Sequence, residues 1–346
     1  MTVRDLLLAR ASQDTPALLT RDRTWTWREF VSDASARAAA IAQLLDPRRP
    51  AHVGLLMDNT PEMLLGLAAA GLGGHVAVGV NSTRRGSALL ADLHRADVQL
   101  LLTDATQAHL LDGLDLAGIQ VIDTDHDRTG VLEPVERTFR QAQRAGTFAQ
   151  PAGTFAQPAG VSDDSLFMLI FTSGTSGRPK AVRITHEKVT YPGAYLTERL
   201  GLTSDDVHYL AMPLFHSNAV MAGWAPALVT GAAVALRDKF SASEFLPDVR
   251  RFGATYASYV GKPLTYVLAT PEQPDDADNP LRLVFGNEAG DRDIRAFGER
   301  FGCRVIDGFG STENAVIVSK LEGTPPGALD WPAEGVAVHN PVTGVE

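Results

Sequence analysis

Residues 166–184 read LFMLIFTSGTSGRPKAVRI, and this stretch carries the densest chemical signal in the chain. Its first six residues are all apolar, which is typical of a strand buried on both faces. Hydroxyl residues and glycines then follow, and Arg178, Pro179 and Lys180 lead into a second short apolar stretch. Glycine turns, converging backbone N–H groups, hydroxyl donors and an ammonium group all suit a phosphate. The stretch therefore predicts a phosphate-binding loop between two strands, composed of Thr172, Ser173, Gly174, Thr175, Ser176, Gly177 and Lys180.

This loop does not fit the Walker A pattern. Lys180 follows Pro179 and precedes Ala181, whereas that pattern requires a Gly-Lys-Ser/Thr ending. A solvent-exposed loop of turn residues is the alternative interpretation. The Pro-Lys continuation and the strand on either side favour phosphate binding.

The composition limits the classes of function. With 346 residues, the chain is long enough for a large core and more than one subdomain. Its formal net charge of −10 argues against a nucleic-acid-binding surface, so positive potential for a phosphate must be local. The single cysteine, Cys303, excludes an intramolecular disulfide, fits a cytoplasmic location and is interpreted as a small buried residue. Residues 63–80 are apolar but are interrupted by five glycines and His75, so no transmembrane span is predicted.

Strand-like and helix-like segments alternate along the chain, which predicts βαβ units and mainly parallel sheets. Strands are predicted at 51–57, 76–80, 98–103, 119–123, 166–171, 181–184, 207–212, 233–237, 255–260, 281–285 and 304–306. Helices are predicted at 27–45, 61–72, 86–95, 106–112, 186–200, 219–229, 243–252, after Pro263 to about 269, and at 291–301. Residues 126–160 contain GTFAQPA twice in succession and are interpreted as a linker. The part before this linker has no compact cluster of ionisable residues that would form a functional site, so its role is predicted to be architectural.

Two further segments follow the ends of predicted strands, where open α/β sheets bind ligands. The strand at 207–212 leads into PLFHSN, and His216 is interpreted as a general base, a gate over an apolar tunnel or a hydrogen-bonded wall residue. The strand at 304–306 leads into DGFGSTEN. There Phe309, flanked by glycines, suits stacking on a base, Thr312 offers a hydroxyl, and Glu313 offers a carboxylate for Mg²⁺.

The segments FTSGTSGRPKAV (171–182), PLFHSN (213–218) and GFGSTE (308–313) occur in this order. Together they resemble the adenylate-forming superfamily of acyl-CoA synthetases, peptide-synthetase adenylation domains and luciferases. TWTWREF (24–30) and DNTPEMLLGLAAAGLGG (58–74) are also similar to that family, so the resemblance covers nearly the whole chain. YVGKPL (259–264) and GNE (286–288) resemble the long- and very-long-chain fatty-acyl-CoA ligases, a branch that includes fatty-acid transport proteins.

The resemblance implies an α/β fold of two stacked αβα-type subdomains and an AMP-forming acid–thiol ligase. ATP and a fatty or other hydrophobic acid would give an acyl-adenylate and pyrophosphate, and the thiol of coenzyme A would then displace AMP. Two alternatives stay open at this point. The acyl group could pass to a carrier protein instead of CoA, or the chain could bind nucleotide or acyl-adenylate without turnover.

The resemblance also implies roles for individual residues. Residues 172–177 and Lys180 would hold the β- and γ-phosphates, Thr312 the α-phosphate and Glu313 the Mg²⁺. Phe309 would stack on the adenine, and His216 would lie between the nucleotide and the acyl pocket. Thr172, Lys180, His216 and Glu313 are thus the catalytic candidates. The adenine edge is assigned to Gly286, Asn287, Glu288 and Ala289, and the nucleotide-binding segment also includes Asp307, Gly308, Gly310 and Ser311.

The sequence departs from the family pattern at several positions. Phe309 stands where many members have tyrosine, and Ala181 replaces a common glycine. Residues 329–346 resemble the start of the family's small β-barrel subdomain and then stop, so a truncated, nearly inactive N-terminal domain is expected. Its lid domain would be missing, or supplied in cis or in trans. The predicted subdomains are 1–160, 161–328 and 329–346. Residues 219–229 and 256–268 would line an acyl tunnel or simply form core, and the oligomeric state stays open.

Overall fold

The computed structural model describes residues 1–125, 132, 134, 136–137, 141, 160–172, 179–313, 317–319, 324 and 342–343. The chain divides into two compact units, unit 1 (Met1–Phe240) and unit 2 (Ser241–Glu346). Loop residues 173–177, the duplication at 146–159 and most of 329–346 lie outside the described residues. The subdomain boundaries predicted from the sequence stay predictions.

The strands of unit 1 alternate with helices, as the sequence pattern predicts. They are β1 (Pro16–Leu19), β2 (Thr24–Thr26), β3 (His52–Leu56), β4 (Val76–Gly79), β5 (Leu100–Thr103), β6 (Gln120–Asp123), β7 (Leu166–Thr172), β8 (Lys180–Thr185), β9 (Val207–Leu210) and β10 (Ala233–Leu236). One sheet has the order β6-β5-β3-β4-β7-β8, and within it β8 alone is antiparallel to its neighbour. The remaining strands lie in the order β9-β10-β1-β2, with β2 returning antiparallel to β1. The predicted α/β class with mainly parallel sheets is confirmed.

Several α-helices lie in unit 1, and threonine hydroxyls cap the first three of them. They are α1 (Val3–Arg10), α2 (Trp27–Leu44), α3 (Pro61–Gly73), α4 (Gly86–Arg95), α5 (Glu187–Leu200) and α6 (Ala225–Thr230). The hydroxyls of Thr26 and Thr60 accept hydrogen bonds from the N–H groups three residues later, at the starts of α2 and α3. No helix in the described part of the chain is long and apolar enough to span a membrane.

Two segments of unit 1 that the sequence predicts as helices differ from a regular α-helix. The segment predicted at 106–112 is only a 3₁₀ turn, Ala108–Leu111, and Gly113 follows it with a positive φ of 73°. The single helix predicted at 219–229 is π-helical over Ala219–Trp224 before it continues as α6. Pro226 accounts for the change, because it has no N–H with which to continue the α-helical hydrogen bonding.

Both faces of the six-stranded sheet are buried. Ile170 on β7 belongs to one hydrophobic cluster, whereas its neighbours Leu169 and Phe171 belong to the other. Alternate side chains of a strand point to opposite faces, so an apolar run of this kind is stable only when both faces are covered. This confirms the interpretation of the apolar run as a strand buried on both faces.

Unit 2 contains α7 (Ala242–Phe252), β11 (Tyr256–Val260), α8 (Pro263–Leu268), β12 (Leu283–Asn287), α9 (Asp291–Phe301), β13 (Arg304–Gly310) and β14 (Ile317–Ser319). Its strands lie in the order β14-β13-β12-β11, and β14 alone is antiparallel to its neighbour. Phe245, Phe297 and Phe301 pack with ring centroids 4.6–6.3 Å apart. Cys303 is buried, and burial raises the pKa of its thiol to about 12, which confirms that it is a small buried residue.

Unit 1 also contains a cluster of charges that the sequence pattern does not reveal. The guanidinium of Arg37 is buried and contacts the carboxylates of Glu62, at 2.5 Å, and of Glu136. These three residues line a cavity of about 310 Å³ together with Arg23 and Asp33, among others. Glu62 and Glu136 lie 25 and 99 residues from Arg37, so no local sequence signal connects these three residues. The architectural role of this half stays a prediction.

Candidate functional site

In unit 1, two of the predicted phosphate-binding residues lie opposite each other on paired strands. Thr172 ends β7, Lys180 begins β8, and the two are register partners in the antiparallel ladder. Directly opposed residues of such a ladder place their side chains on the same face of the sheet. The Thr172 hydroxyl and the exposed Lys180 side chain therefore share one face at the end of β7.

A cavity of about 360 Å³ opens beside this end of β7. Its walls combine apolar, hydroxyl, amide, imidazole and ionic side chains. They are Asn81, Arg84, Asp92, Phe171, Thr172, Pro179 and His216. The structure thus brings His216 to the same cavity as Thr172, although the two lie on different strand–loop segments. His216 stays open to solvent there, but the surrounding protein removes part of its hydration and lowers the pKa of the imidazole. The neutral ring can therefore accept a proton or a hydrogen bond near neutral pH.

The loop that carries His216 is held from within unit 1. The buried side chain of Asn59 donates to Met212 O at 2.7 Å and accepts from Leu214 N at 2.8 Å. Gly79 lets the same loop approach β4, because a Cβ atom there would lie 3.0 Å from the Cα of Phe215. The sequence analysis included Asn59 only in the segment 58–74. Its position beside the cap residue Thr60 carries no local signal that it holds a distant loop.

In unit 2, the predicted adenine-edge residues lie at the C-terminal end of β12, and the first two of them, Gly286 and Asn287, end that strand. Gly286 pairs with Tyr259 on β11, and a Cβ atom on Gly286 would lie 2.2 Å from the carbonyl oxygen of Tyr259. Only glycine allows this approach. Glu288 has a φ of 70°, in the left-handed region that few residues other than glycine adopt. The turn at 286–289 therefore has a specific backbone path.

Asp307 fixes this turn from the neighbouring strand. Its Oδ2 accepts hydrogen bonds from the hydroxyl of Tyr259 at 2.5 Å and from the backbone N–H of Ala289 at 3.0 Å. Asn287 adds a third link, since its Nδ2 donates to Gly308 O at 2.9 Å. Tyr259 and Asp307 are both buried, so the hydroxyl and the carboxylate satisfy each other. Burial and the Asp307 carboxylate raise the pKa of Tyr259, which keeps its phenol protonated as a donor.

Phe309 and Glu313 lie beyond this buried pair. The strand predicted to end at residue 306 continues to Gly310, because Gly308, Phe309 and Gly310 pair with β14. Phe309 is therefore a strand residue and not part of a loop. Its ring is 52% exposed, and an exposed aromatic ring flanked by glycines is suited to stacking on a planar ligand. Thr312 is half-buried and Glu313 is exposed.

The predicted site residues thus fall into two groups. Unit 1 carries Thr172, Lys180 and His216, and unit 2 carries 286–289 with 307–313. Ser173, Gly174, Thr175, Ser176 and Gly177 lie outside the described residues. The sequence analysis did not single out Tyr259 as a site residue. A buried tyrosine needs a hydrogen-bond partner for its hydroxyl. The polar residues on the strands next to Tyr259 in the predicted sheet were the signal that could have suggested this partner.

Comparison with known proteins shows the family and the fold of the chain. The family model described as AMP-binding enzyme matches residues 8–345. A medium/long-chain-fatty-acid–CoA ligase, FadD17 of Mycobacterium tuberculosis, is 48% identical over 347 residues, which are 99% of this chain and 64% of that protein. Steroid-22-oyl-CoA synthetase of Rhodococcus jostii is 43% identical over 346 residues, covering 100% of this chain and 60% of that protein. The chain therefore spans less than two thirds of the length of these relatives.

A solved structure shows the same fold. The ATP-bound MatB of Rhodopseudomonas palustris superposes with a TM-score of 0.80 at 22% identity, over 100% of this chain and 68% of that one. The fold, the order of the three sequence segments and the match over almost the whole length point to one family. The chain belongs to the AMP-binding enzyme family.

Proposed function

We propose that the protein containing this chain activates a fatty or other hydrophobic carboxylic acid with ATP and transfers the acyl group to coenzyme A. The observation that carries the proposal is the 48% identity, over 99% of this chain, to a medium/long-chain-fatty-acid–CoA ligase. The ends of β7, β12 and β13 support it, because each carries side chains suited to one part of ATP.

The proposed reaction has two steps. A carboxylate oxygen of the acid attacks the α-phosphorus of ATP, the bond between the α-phosphorus and its bridging oxygen breaks, and pyrophosphate leaves. The CoA thiol then loses its proton and attacks the acyl carbon, and AMP leaves as the thioester forms. Catalysis of such transfers depends mainly on positioning the groups and on neutralising their charge.

The chain's own residues supply these two effects in the proposal. Thr172 and Lys180, which share one face of the sheet, hold the outer phosphates of ATP. The turn at 286–289 receives the edge of the adenine, and the exposed ring of Phe309 covers its face. His216, on the cavity beside Thr172, either orients the acid through a hydrogen bond or accepts a proton.

Mg²⁺ fits the residues present. Within the described part of the chain, no group of three or more His, Cys, Asp or Glu side chains could hold a metal ion. Mg²⁺ is usually bound by one or two carboxylates together with substrate phosphates. One carboxylate is therefore enough, and the exposed side chain of Glu313 can supply it. When bound, the ion would neutralise phosphate charge.

The test combines nucleotide binding with chemistry. The chain is incubated with ATP, Mg²⁺ and a panel of medium-chain, long-chain and steroid side-chain carboxylic acids. Acyl-adenylate and acyl-CoA are then detected by mass spectrometry, and ATP binding is measured by calorimetry. We expect ATP binding and an adenylate with at least one hydrophobic acid. A chain that binds no ATP, or that activates only amino acids, would contradict the proposal.

A further inference from the structure

Arg84 lines the cavity beside Thr172, although nothing in the sequence analysis assigned it to a site. It lies in the turn between β4 and α4. The Arg84 N–H donates to Asn81 O at 3.0 Å, and the Asn81 side chain accepts from the N–H and the hydroxyl of Thr83. The turn is therefore fixed by its own hydrogen bonds, and the root of the Arg84 side chain is fixed with it.

Asp92 orients the guanidinium of Arg84. The Nε of Arg84 donates to Oδ2 of Asp92 at 2.9 Å, and the Asp92 side chain is only 4% exposed. A buried carboxylate that engages Nε leaves the two terminal nitrogens of the guanidinium for another acceptor. Among the described residues, neither terminal nitrogen has a hydrogen-bond partner. The Arg84 side chain remains 32% exposed, at the cavity.

The surroundings of Arg84 add further positive potential. Helix α4 begins two residues after Arg84, at Gly86, and has no acidic residue in its first turn, so the positive end of the helix dipole is not neutralised there. At the other end of α4, Arg95 donates to the carbonyl of Pro179 at 2.5 Å, which ties this helix to the residue before Lys180. Asp92 thus holds Arg84 at the cavity, and Arg95 holds α4 against Pro179, which lines the same cavity.

We propose that Arg84 binds a phosphate group of the substrate in this cavity. The proposal rests on the proposed function, and the phosphate belongs either to the outer phosphates of ATP or to CoA. A guanidinium whose Nε is already held is preorganised for two parallel hydrogen bonds to phosphate oxygens. Asp92 acts through Arg84, as a positioning residue.

Arg84→Met tests the proposal, and Arg85→Met is its matched control. Arg85 is the next residue and carries the same charge, but it is exposed and does not line the cavity. Within the part of the chain that the structure describes, its Nη1 donates only to the carbonyls of Ser82 and Arg84. Affinities for ATP, AMP, pyrophosphate and CoA are measured by calorimetry at one salt concentration. We expect Arg84→Met to lower the affinity for the ligand that supplies the phosphate by about ten- to hundredfold. Arg85→Met should change the same affinity by less than about twofold.

The pattern of losses identifies the source of the phosphate. If Arg84→Met lowers the affinity for ATP and pyrophosphate and leaves the affinity for AMP and CoA unchanged, Arg84 binds the outer phosphates of ATP. If it lowers the affinity for CoA alone, Arg84 binds a phosphate of CoA. Unchanged affinities in Arg84→Met, or equal losses in both variants, would overturn the proposal. If Arg84→Met does not fold, Arg84→Lys retains a cation for Asp92, and wild-type affinities in that variant would overturn it equally. A wild-type chain that binds neither ATP nor CoA refutes the proposed function itself, which is a distinct result.

Discussion

Tyr259→Phe removes one hydroxyl from unit 2 and leaves the ring in place. The lost group donates to Oδ2 of Asp307 at 2.5 Å, and the ring around it is only 2% exposed. Asp307 keeps its hydrogen bond from Ala289 N, so the carboxylate loses one of two protein donors and no cavity larger than an oxygen atom forms. A hydrogen bond to a charged group contributes about 1.5–3 kcal/mol. We therefore expect the local opening free energy of β12 and β13 to fall by about this amount.

Hydrogen exchange measured by mass spectrometry can test this locally. A loss of about 1.5–3 kcal/mol corresponds to exchange about ten- to 150-fold faster in peptides that cover 283–289 and 304–310. Tyr266→Phe is the matched control, because Tyr266 lies on α8 in the same unit and is 53% exposed. Its exchange rates should equal those of the wild type. Unchanged exchange in Tyr259→Phe, or equal acceleration in both variants, would refute the inference that this hydrogen bond holds the turn at 286–289.

Four further predictions concern single residues. Lys180→Ala should weaken ATP binding about tenfold or more and AMP binding much less, because only the outer phosphates meet the ammonium; equal losses in calorimetry would contradict this placement. Glu313→Gln should reduce acyl-adenylate formation, and additional Mg²⁺ should restore part of it; a loss that does not depend on Mg²⁺ would argue against a metal role. Burial lowers the pKa of His75 to about 4, so as the pH falls below about 6.5 this histidine takes up a proton in the unfolded chain before it does so in the folded chain. The free energy of unfolding should therefore fall by about 2 kcal/mol by pH 5. His75→Gln should flatten this pH dependence in thermal unfolding followed by tryptophan fluorescence, and identical slopes would exclude His75 as its cause. Arg300→Met should destabilise unit 2 by about 3–5 kcal/mol in urea unfolding, because it leaves the buried carboxylate of Asp276, now 2.6 Å from Arg300 Nε, without its ion pair; a change below about 1 kcal/mol would contradict this.

The sequence determined those features whose signals are local. The helices that begin at Trp27, Pro61 and Gly86 start where they are predicted, because capping and amphipathic spacing act within a few residues. The apolar run after residue 165 likewise determined that a buried strand forms there, but it did not determine the position of that strand in the sheet. The three candidate site segments could be singled out because the chemistry of phosphate, base and metal binding restricts which residue types occur together.

Only the tertiary structure decided which distant residues meet. Strand β1 pairs with β10 more than 200 residues later, and neither partner carries a local signal for the other. The Asn59 side chain holds the loop of His216 across about 150 residues, and Tyr259 meets Asp307 across 48. Arg84 becomes a candidate ligand only because the fold closes β7 and the loop of His216 around one cavity. These contacts depend on strand order and sheet register, which follow from packing of the whole chain and are not encoded in any short segment.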